Sequence, residues 1–363
     1  MLAYDIRRLS RWSARLRMFP SSIIPKTWSV AFMAAIAFGA RVAPLAGNDS
    51  AAQVLQSRFG LTKLGENQWI LPREIELRGK LAELPKRRER LISVEKDLGG
   101  LVQSNQRAWD ETRPAAAALK QSLARFSSAD PQRELIERQM KSLEAGATDP
   151  RKLGGRKDVR SLVVDLASQR CELLAAVAWI REAVPALVDQ YMTLASDGEL
   201  ASALKQAGSD QRLGPQRSYK ADLARLGDYE RLAATPWLPT FEQGGHVRIV
   251  LLMEERSTAT FTWAADEDQQ VVITASTAEA AGLVVPNDAE SEIIQTGHQR
   301  EVAARRITLG YLRLGRCVLR GVKAYVLPPE AEDVGNRLGR DALAGHRVRL
   351  EPERLRLWID EER

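Results

Sequence analysis

Residues 246–274 read HVRIVLLMEERSTATFTWAADEDQQVVIT. Three runs in this stretch are rich in β-branched and aromatic residues: HVRIVLLM (246–253), ATFTW (259–263) and QVVIT (270–274). Such runs, short and separated by polar residues, read as strands. The pattern returns in RRITL (305–309), CVLRGVKAYVL (317–327) and RLRLWI (354–359). Several short strands with turns between them predict a small β barrel or sandwich over 246–363, and about 115 residues suffice for one core.

Upstream the period changes. Pro236, Pro239 and the pair Gly244-Gly245 predict a linker over 236–245. Residues 216–234 form an amphipathic helix with Leu223, Leu226, Tyr229 and Leu232 on one face. Further back, Leu77, Leu84, Leu91 and Leu98 recur every seven residues, and Asn105 and Thr112 keep the register. The companion position holds Leu81, Arg88, Glu95, Val102 and Trp109. A second line runs Leu166, Leu173, Ile180, Leu187, Leu194, widened by Val163, Val177 and Val184. Period seven is a narrow helical stripe of coiled-coil type. Pro85 and Pro185 predict kinks, and shorter helical pieces are expected at 115–126 and 131–144. Residues 73–235 therefore read as a helical stalk. Its two long helices fold back as an antiparallel hairpin or pair with a second chain; the stripes serve both. Ahead of it, 47–72 reads as a small αβ entry unit. It has a helix ending at Gly60, two brief strands (LTKL and QWIL) around GEN, and Pro72 opening the next helix.

The amino terminus is basic up to Lys26 and then uncharged from Thr27 to Ala40, TWSVAFMAAIAFGA. Fourteen uncharged residues are short of the about 20 a membrane span needs but fit the apolar core of a signal peptide. Residues 1–46 are thus expected to be an export signal cut after Ala46, or an anchor in the inner membrane through 27–46. The basic flank stays cytoplasmic and the remainder is exported to the periplasm or cell envelope.

The same segment disposes of a nucleic-acid reading. The net charge is +6, yet residues 1–46 alone hold seven basic side chains and one acid. The other 317 residues balance at 46 basic and 46 acidic groups. A phosphate-binding surface needs a basic excess. Two cysteines, Cys171 and Cys317, and three histidines, His246, His298 and His346, occur without metal-ligand spacing. The cysteines read as buried thiols. No nucleophile-elbow, phosphate-loop or dinucleotide motif occurs. No cofactor or metal is expected.

A family resemblance rests on segments in order. VVITASTAEAAGL (271–283) resembles the strand and short helix after an active-site loop, and IIQTGHQREV (293–302) a flap hairpin. ARRITLGYLRLGRCVLRGVKAYVLP (304–328) resembles the paired strands that follow. RLGRDAL (337–343) resembles a hydrophobic-hydrophobic-Gly segment with its helix, and VRLEPERLRLW (348–358) the closing strands. Together they resemble the retropepsin-like (clan AA) aspartic protease family in its bacterial, planctomycete-like, membrane-associated form. The LGENQWILPRE start of the stalk is similar to proteins that carry this domain.

The resemblance implies a catalytic loop Asp-Thr-Gly-Ala, with one Asp from each of two chains sharing a proton over a water. Counting back from Gly282-Leu283 places Ala265, Asp266, Glu267 and Asp268 on those four positions. Ala265 stands where the catalytic Asp belongs; a slip of one residue would put Asp266 there, without Thr and Gly after it. The three acids read as a solvated turn. Arg337 replaces an apolar residue behind the active site, where a charge needs a partner or an exit to water.

The chain is thus expected to be α+β: a signal or anchor, a helical stalk and a degenerate retropepsin-like barrel. It would be a pseudoenzyme used for binding or assembly, as a homodimer or with another protein partner. The alternative is an aspartic endopeptidase that uses Asp266 from two subunits.

Overall fold

The computed structural model of the chain describes residues 51–361, except 66–67, 128–129, 210–212, 268–270 and 297–299. The signal or anchor expected at 1–46 lies outside the described residues. Among those described, no helix is long and apolar enough to cross a membrane. The described chain divides into two units.

The first unit comprises the described residues up to Leu77 together with Glu182–Ser218. Helix α1, Ala51–Ser57, precedes strands β1, Thr62–Lys63, and β2, Trp69–Ile70, which pair antiparallel. This is the arrangement read from the sequence. Leu55, Leu61, Trp69 and Ile70 are its buried core. Helix α2 begins at Pro72, and its fully buried Glu74 accepts hydrogen bonds from the Tyr191 hydroxyl (2.7 Å) and the Gln216 amide (3.0 Å). A buried carboxylate satisfied in this way escapes the penalty of burying a bare charge.

The second unit comprises Arg78–Arg181 and Tyr219–Arg363. It holds the rest of α2 (Pro72–Leu123), then α3 (Pro131–Gly146) and α4, whose full span is Lys157–Ala195. The period-seven lines are buried: Leu84, Leu91 and Leu98 on α2, and Leu166, Leu173 and Ile180 on α4. Polar pairs along their flanks set the direction. Lys80 lies over the Trp179 ring at 4.9 Å, Arg87 bonds Glu172 at 2.5 Å, and Arg170 bonds Glu95 at 3.0 Å. Rising numbers on one helix meet falling numbers on the other, so α2 and α4 are antiparallel within one chain. Glu95, which interrupts the apolar line, is the partner of Arg170. Asn105 is buried and clamps Thr148, donating to its carbonyl (2.8 Å) and accepting from its amide (3.1 Å).

One helical expectation changes. The piece expected at 115–126 is the end of α2, which runs unbroken through Pro85 and Pro114. Both prolines are exposed, where water takes the hydrogen bond that a proline cannot supply. The piece expected at 131–144 is α3. Between Gln206 and the β domain, helix α6 (Lys220–Ala233) realises the amphipathic segment, after the short α5 (Gly198–Gln206) of the first unit.

The linker expected at 236–245 is instead strand β3, Trp237–Gln243, joined to β4, His246–Met253, by Gly244-Gly245. Both glycines have positive φ, +62° and +76°, as a two-residue hairpin turn requires. Pro239 lies just outside the β3–β4 register, which begins at Thr240, so that ladder asks no N–H of it. The remaining strands are β5 (Ser257–Ala264), β6 (Val271–Ile273), β7 (Ser291–Thr296), β8 (Arg300–Leu314), β9 (Cys317–Val326), β10 (Arg337–Gly339), β11 (His346–Glu351) and β12 (Arg356–Glu361). Helix α7, Ala275–Ala280, follows β6.

The strands lie in the order β11-β12-β3-β4-β5-β10-β6-β9-β8-β7. A further β4–β8 pairing, Leu252 with Arg313 and Met253 with Leu312, closes β4, β5, β10, β6, β9 and β8 into a ring. The β domain is therefore a barrel, with Ile249, Leu251, Met253, Phe261, Ile273, Leu309, Leu312 and Leu338 in its core.

The helices of this unit are fixed to the barrel by an arginine. Arg170, 5% exposed, lies over the Trp237 ring at 3.9 Å and donates to Thr235 Oγ1 at 2.9 Å. Its burial brings its pKa down to about 10, against the pull of Glu95. Gly154 sits so close to β3 that a Cβ there would lie 3.2 Å from the Glu242 amide nitrogen and from the Leu355 side chain. Cys171 and Cys317 are free, buried thiols, pushed up by burial to about 12 and about 11.

Glu230 of α6 joins three elements, bonding Arg181 of α4 and Arg313 of β8 (3.0 Å). Burial raises its pKa, but the two guanidinium groups outweigh that and hold it below the usual carboxylate range. Its folded pKa is therefore below its unfolded one. The stabilisation is complete above the unfolded value of about 4.3 and is lost as pH falls through the folded value. Thermal melts between about pH 6 and pH 3 should fall more steeply for the native chain than for Glu230→Gln. Parallel curves would show that this bridge contributes nothing.

Candidate active-site loop

Strand β10 lies between β5 and β6, parallel to the first and antiparallel to the second. The chain leaves β5 at Ala264, level with Gly339, passes the end of β10 and returns at Val271, opposite Leu338. The loop so formed contains every residue read as a catalytic candidate. Ala265 and Asp266 are exposed, and Asp266 makes no hydrogen bond or ion pair with the described residues. Asp268 lies outside the described residues.

Glu267 behaves differently. Its amide donates to the Ala264 carbonyl (3.1 Å) and its carbonyl accepts from the Arg340 amide (3.0 Å). Its carboxylate takes both faces of a fork from Arg337, Nε at 2.8 Å and Nη2 closer still. The side chains are 17% and 12% exposed. A two-point guanidinium–carboxylate contact is the strongest form of this bond and fixes orientation as well as distance. The expected solvated acidic turn is thus corrected at Glu267: its carboxylate is turned inward onto Arg337. Arg337 has the partner that its position requires.

Neighbouring groups hold this geometry. Arg248 donates to Thr262 Oγ1 on β5, and its Nε is buried without a hydrogen-bond partner. Burial lowers its pKa, and the nearby charge of Arg337 lowers it further. Asn336 ties the start of β10 to both sides. Its side chain donates to the Thr260 carbonyl (3.0 Å) and accepts from the Thr274 amide (2.9 Å), and its carbonyl accepts from the Thr262 amide (2.9 Å). Thr274 then caps α7 through the Thr277 amide (3.2 Å), and Glu332 receives both the amide and hydroxyl of Ser276.

Sequence reading missed Asn336 and the pairing of Glu267 with Arg337. The usable signal was the charge of Arg337 at an apolar position, 70 residues from its partner. The hairpin read as a flap is present as β7 and β8, with Ile293 73% exposed; its tip, 297–299 with His298, lies outside the described residues.

Chemically, the loop places one carboxylate whose oxygens are both engaged by a guanidinium, beside one exposed carboxylate, Asp266. Among the described residues there is no group of three or more His, Cys, Asp or Glu side chains that could hold a metal ion. A cleft of about 490 Å³ opens elsewhere, lined by Leu283, Val284, Pro286, Arg306, Ile307 and Lys323. None of the described loop residues lines it.

Residues 268–342 match the family described as Aspartyl protease. The match begins one residue beyond Glu267 and ends beyond Arg337. Among solved structures the chain is similar to a retropepsin-like aspartic protease from Rickettsia conorii. That likeness has 16% identity and a TM-score of 0.28, over 34% of this chain and 87% of the other. No curated protein matches the chain. The family match falls within the carboxyl-terminal β domain and supports an aspartic protease domain there.

Proposed function

We propose that this chain is an exported, membrane-proximal binding or assembly protein whose retropepsin-like domain does not cleave peptides. The observation that carries this reading is the inward ion pair of Glu267 and Arg337 in the loop that should present the catalytic acid. A proton-sharing dyad needs an ionisable carboxyl free to face its twin and a water. On the count from Gly282-Leu283, Ala265 holds that position and has no carboxyl. Glu267 stands where the family has Gly and spends both oxygens on Arg337. No site residue for catalysis is assigned, and no cofactor or metal is invoked.

The export part rests on the basic flank and uncharged run of residues 1–46, as a cleaved signal or as an anchor through 27–46. The assembly part rests on the helical segment 73–235, and the favoured arrangement is a homodimer in the bacterial envelope. The rival reading keeps Asp266, exposed on the loop, as the acid of an endopeptidase built from two subunits.

Pepstatin separates the two, because it binds where paired carboxyls share a proton. Calorimetric titration of the full chain at acidic pH should give no saturable heat. Saturable binding at one pepstatin per two chains, lost in Asp266→Asn, would establish the rival.

A further inference from the structure

The helical hairpin made by the end of α2 and by α3 has an unusual interior. None of the described residues from 106 to 146 is buried, whereas the preceding part of α2 buries Leu84, Leu91, Leu98 and Asn105. The hairpin is nevertheless patterned to bury a seam. Trp109, Thr112, Ala116, Leu119 and Leu123 recur at spacings of three and four along α2, followed by Phe126. Ile136, Met140 and Leu143 do the same on α3. All are half-buried, and Leu135, next to Ile136, is 56% exposed. Two helices alone cover only one side of each stripe. Helices of this length draw most of their stability from such packing, so the seam calls for further helices.

The charges narrow the choice of occupant. Residues 106–146 carry seven basic and six acidic side chains, interspersed along both helices. On α3, Arg133 and Arg138 are matched by Glu137 and Glu134 one turn away. An anionic lipid surface or a nucleic acid would require a basic excess. A surface with both signs interspersed is met by the same surface turned about a two-fold axis, where each sign finds the other.

We propose that a second copy of this chain covers the hairpin, the two hairpins forming a four-helix bundle about a two-fold axis. The inference rests on the reading of the chain as an assembly protein and names the surface through which it assembles. Leu135 provides the test, because it lies outside the seam within one chain but on the face offered to the copy.

The full chain in a mild detergent should sediment as a dimer at micromolar concentration. Leu135→Glu should weaken the dimer at least about tenfold, or about 1.4 kcal/mol, with the helical circular dichroism unchanged. Leu135→Gln, which keeps helix propensity without adding charge, should weaken it less but in the same direction. A monomer in the native chain overturns both this surface and the homodimer. A dimer indifferent to both substitutions overturns this surface alone and leaves assembly through another face.

Discussion

Leu173→Asp is expected to abolish the cooperative unfolding of the unit formed by Arg78–Arg181 and Tyr219–Arg363. Leu173 is fully buried in the line Leu166, Leu173, Ile180 of α4, facing the α2 stripe. The substitution sets a carboxylate into this apolar line, which costs either the desolvation of a charge or the separation of the helices. Either outcome costs about 4 kcal/mol or more, a large part of the 5–15 kcal/mol that holds a typical domain. The damage should reach the barrel, because α4 also carries Arg170, which grips Thr235 and Trp237 at the start of the β domain. Urea unfolding followed by circular dichroism at 222 nm checks this. An unchanged midpoint would show that this face of α4 is not buried in solution.

The second large effect belongs to the loop. Arg337→Leu puts an apolar side chain at this largely buried position, yet it should destabilise the chain by about 2–3 kcal/mol. The reason is Glu267, which would be left 17% exposed with no cation across from it. Glu267→Gln alone should also cost stability, by leaving Arg337 without its counter-charge. In the double variant Arg337→Leu with Glu267→Gln, most of the loss should be recovered, because neither charge is then stranded. The quantity to measure is the coupling free energy from the four chains in parallel denaturation. Additive losses would mean that the two side chains do not form the pair in solution.

These two sites differ in how far the sequence announces them. Leu173 is legible because a helix repeats its environment every turn, and a leucine every seven residues reveals the buried line. The same line could not say which chain its partner helix belongs to. That is decided by Lys80 over Trp179, Arg87 with Glu172 and Arg170 with Glu95, contacts between side chains far apart in sequence. Strands β4 and β5 were legible from their β-branched runs. Strand β3 was not, because Pro239 and the Gly244-Gly245 turn carry the composition of a linker while lying within the sheet. Likewise the piece expected at 115–126 is no separate helix but the end of α2.

The loop is the least local feature. Its acidic run, Asp266 and Glu267, has the composition of a solvated turn. Its actual state depends on β10 entering between β5 and β6, which sets Arg337 against Glu267. A charge at an apolar position showed that a partner was needed, and only the topology of the barrel identifies it.

On the proposed function, this loop is a structural turn and not half of a catalytic dyad. Turnover of an unfolded protein substrate by the full chain, with and without pepstatin, tests it most directly between about pH 3 and 7, where a proton-sharing carboxyl pair is active. No pepstatin-sensitive cleavage is expected at any pH in that range, from the native chain or from Asp266→Asn. Pepstatin-sensitive cleavage by the native chain that Asp266→Asn abolishes would contradict it.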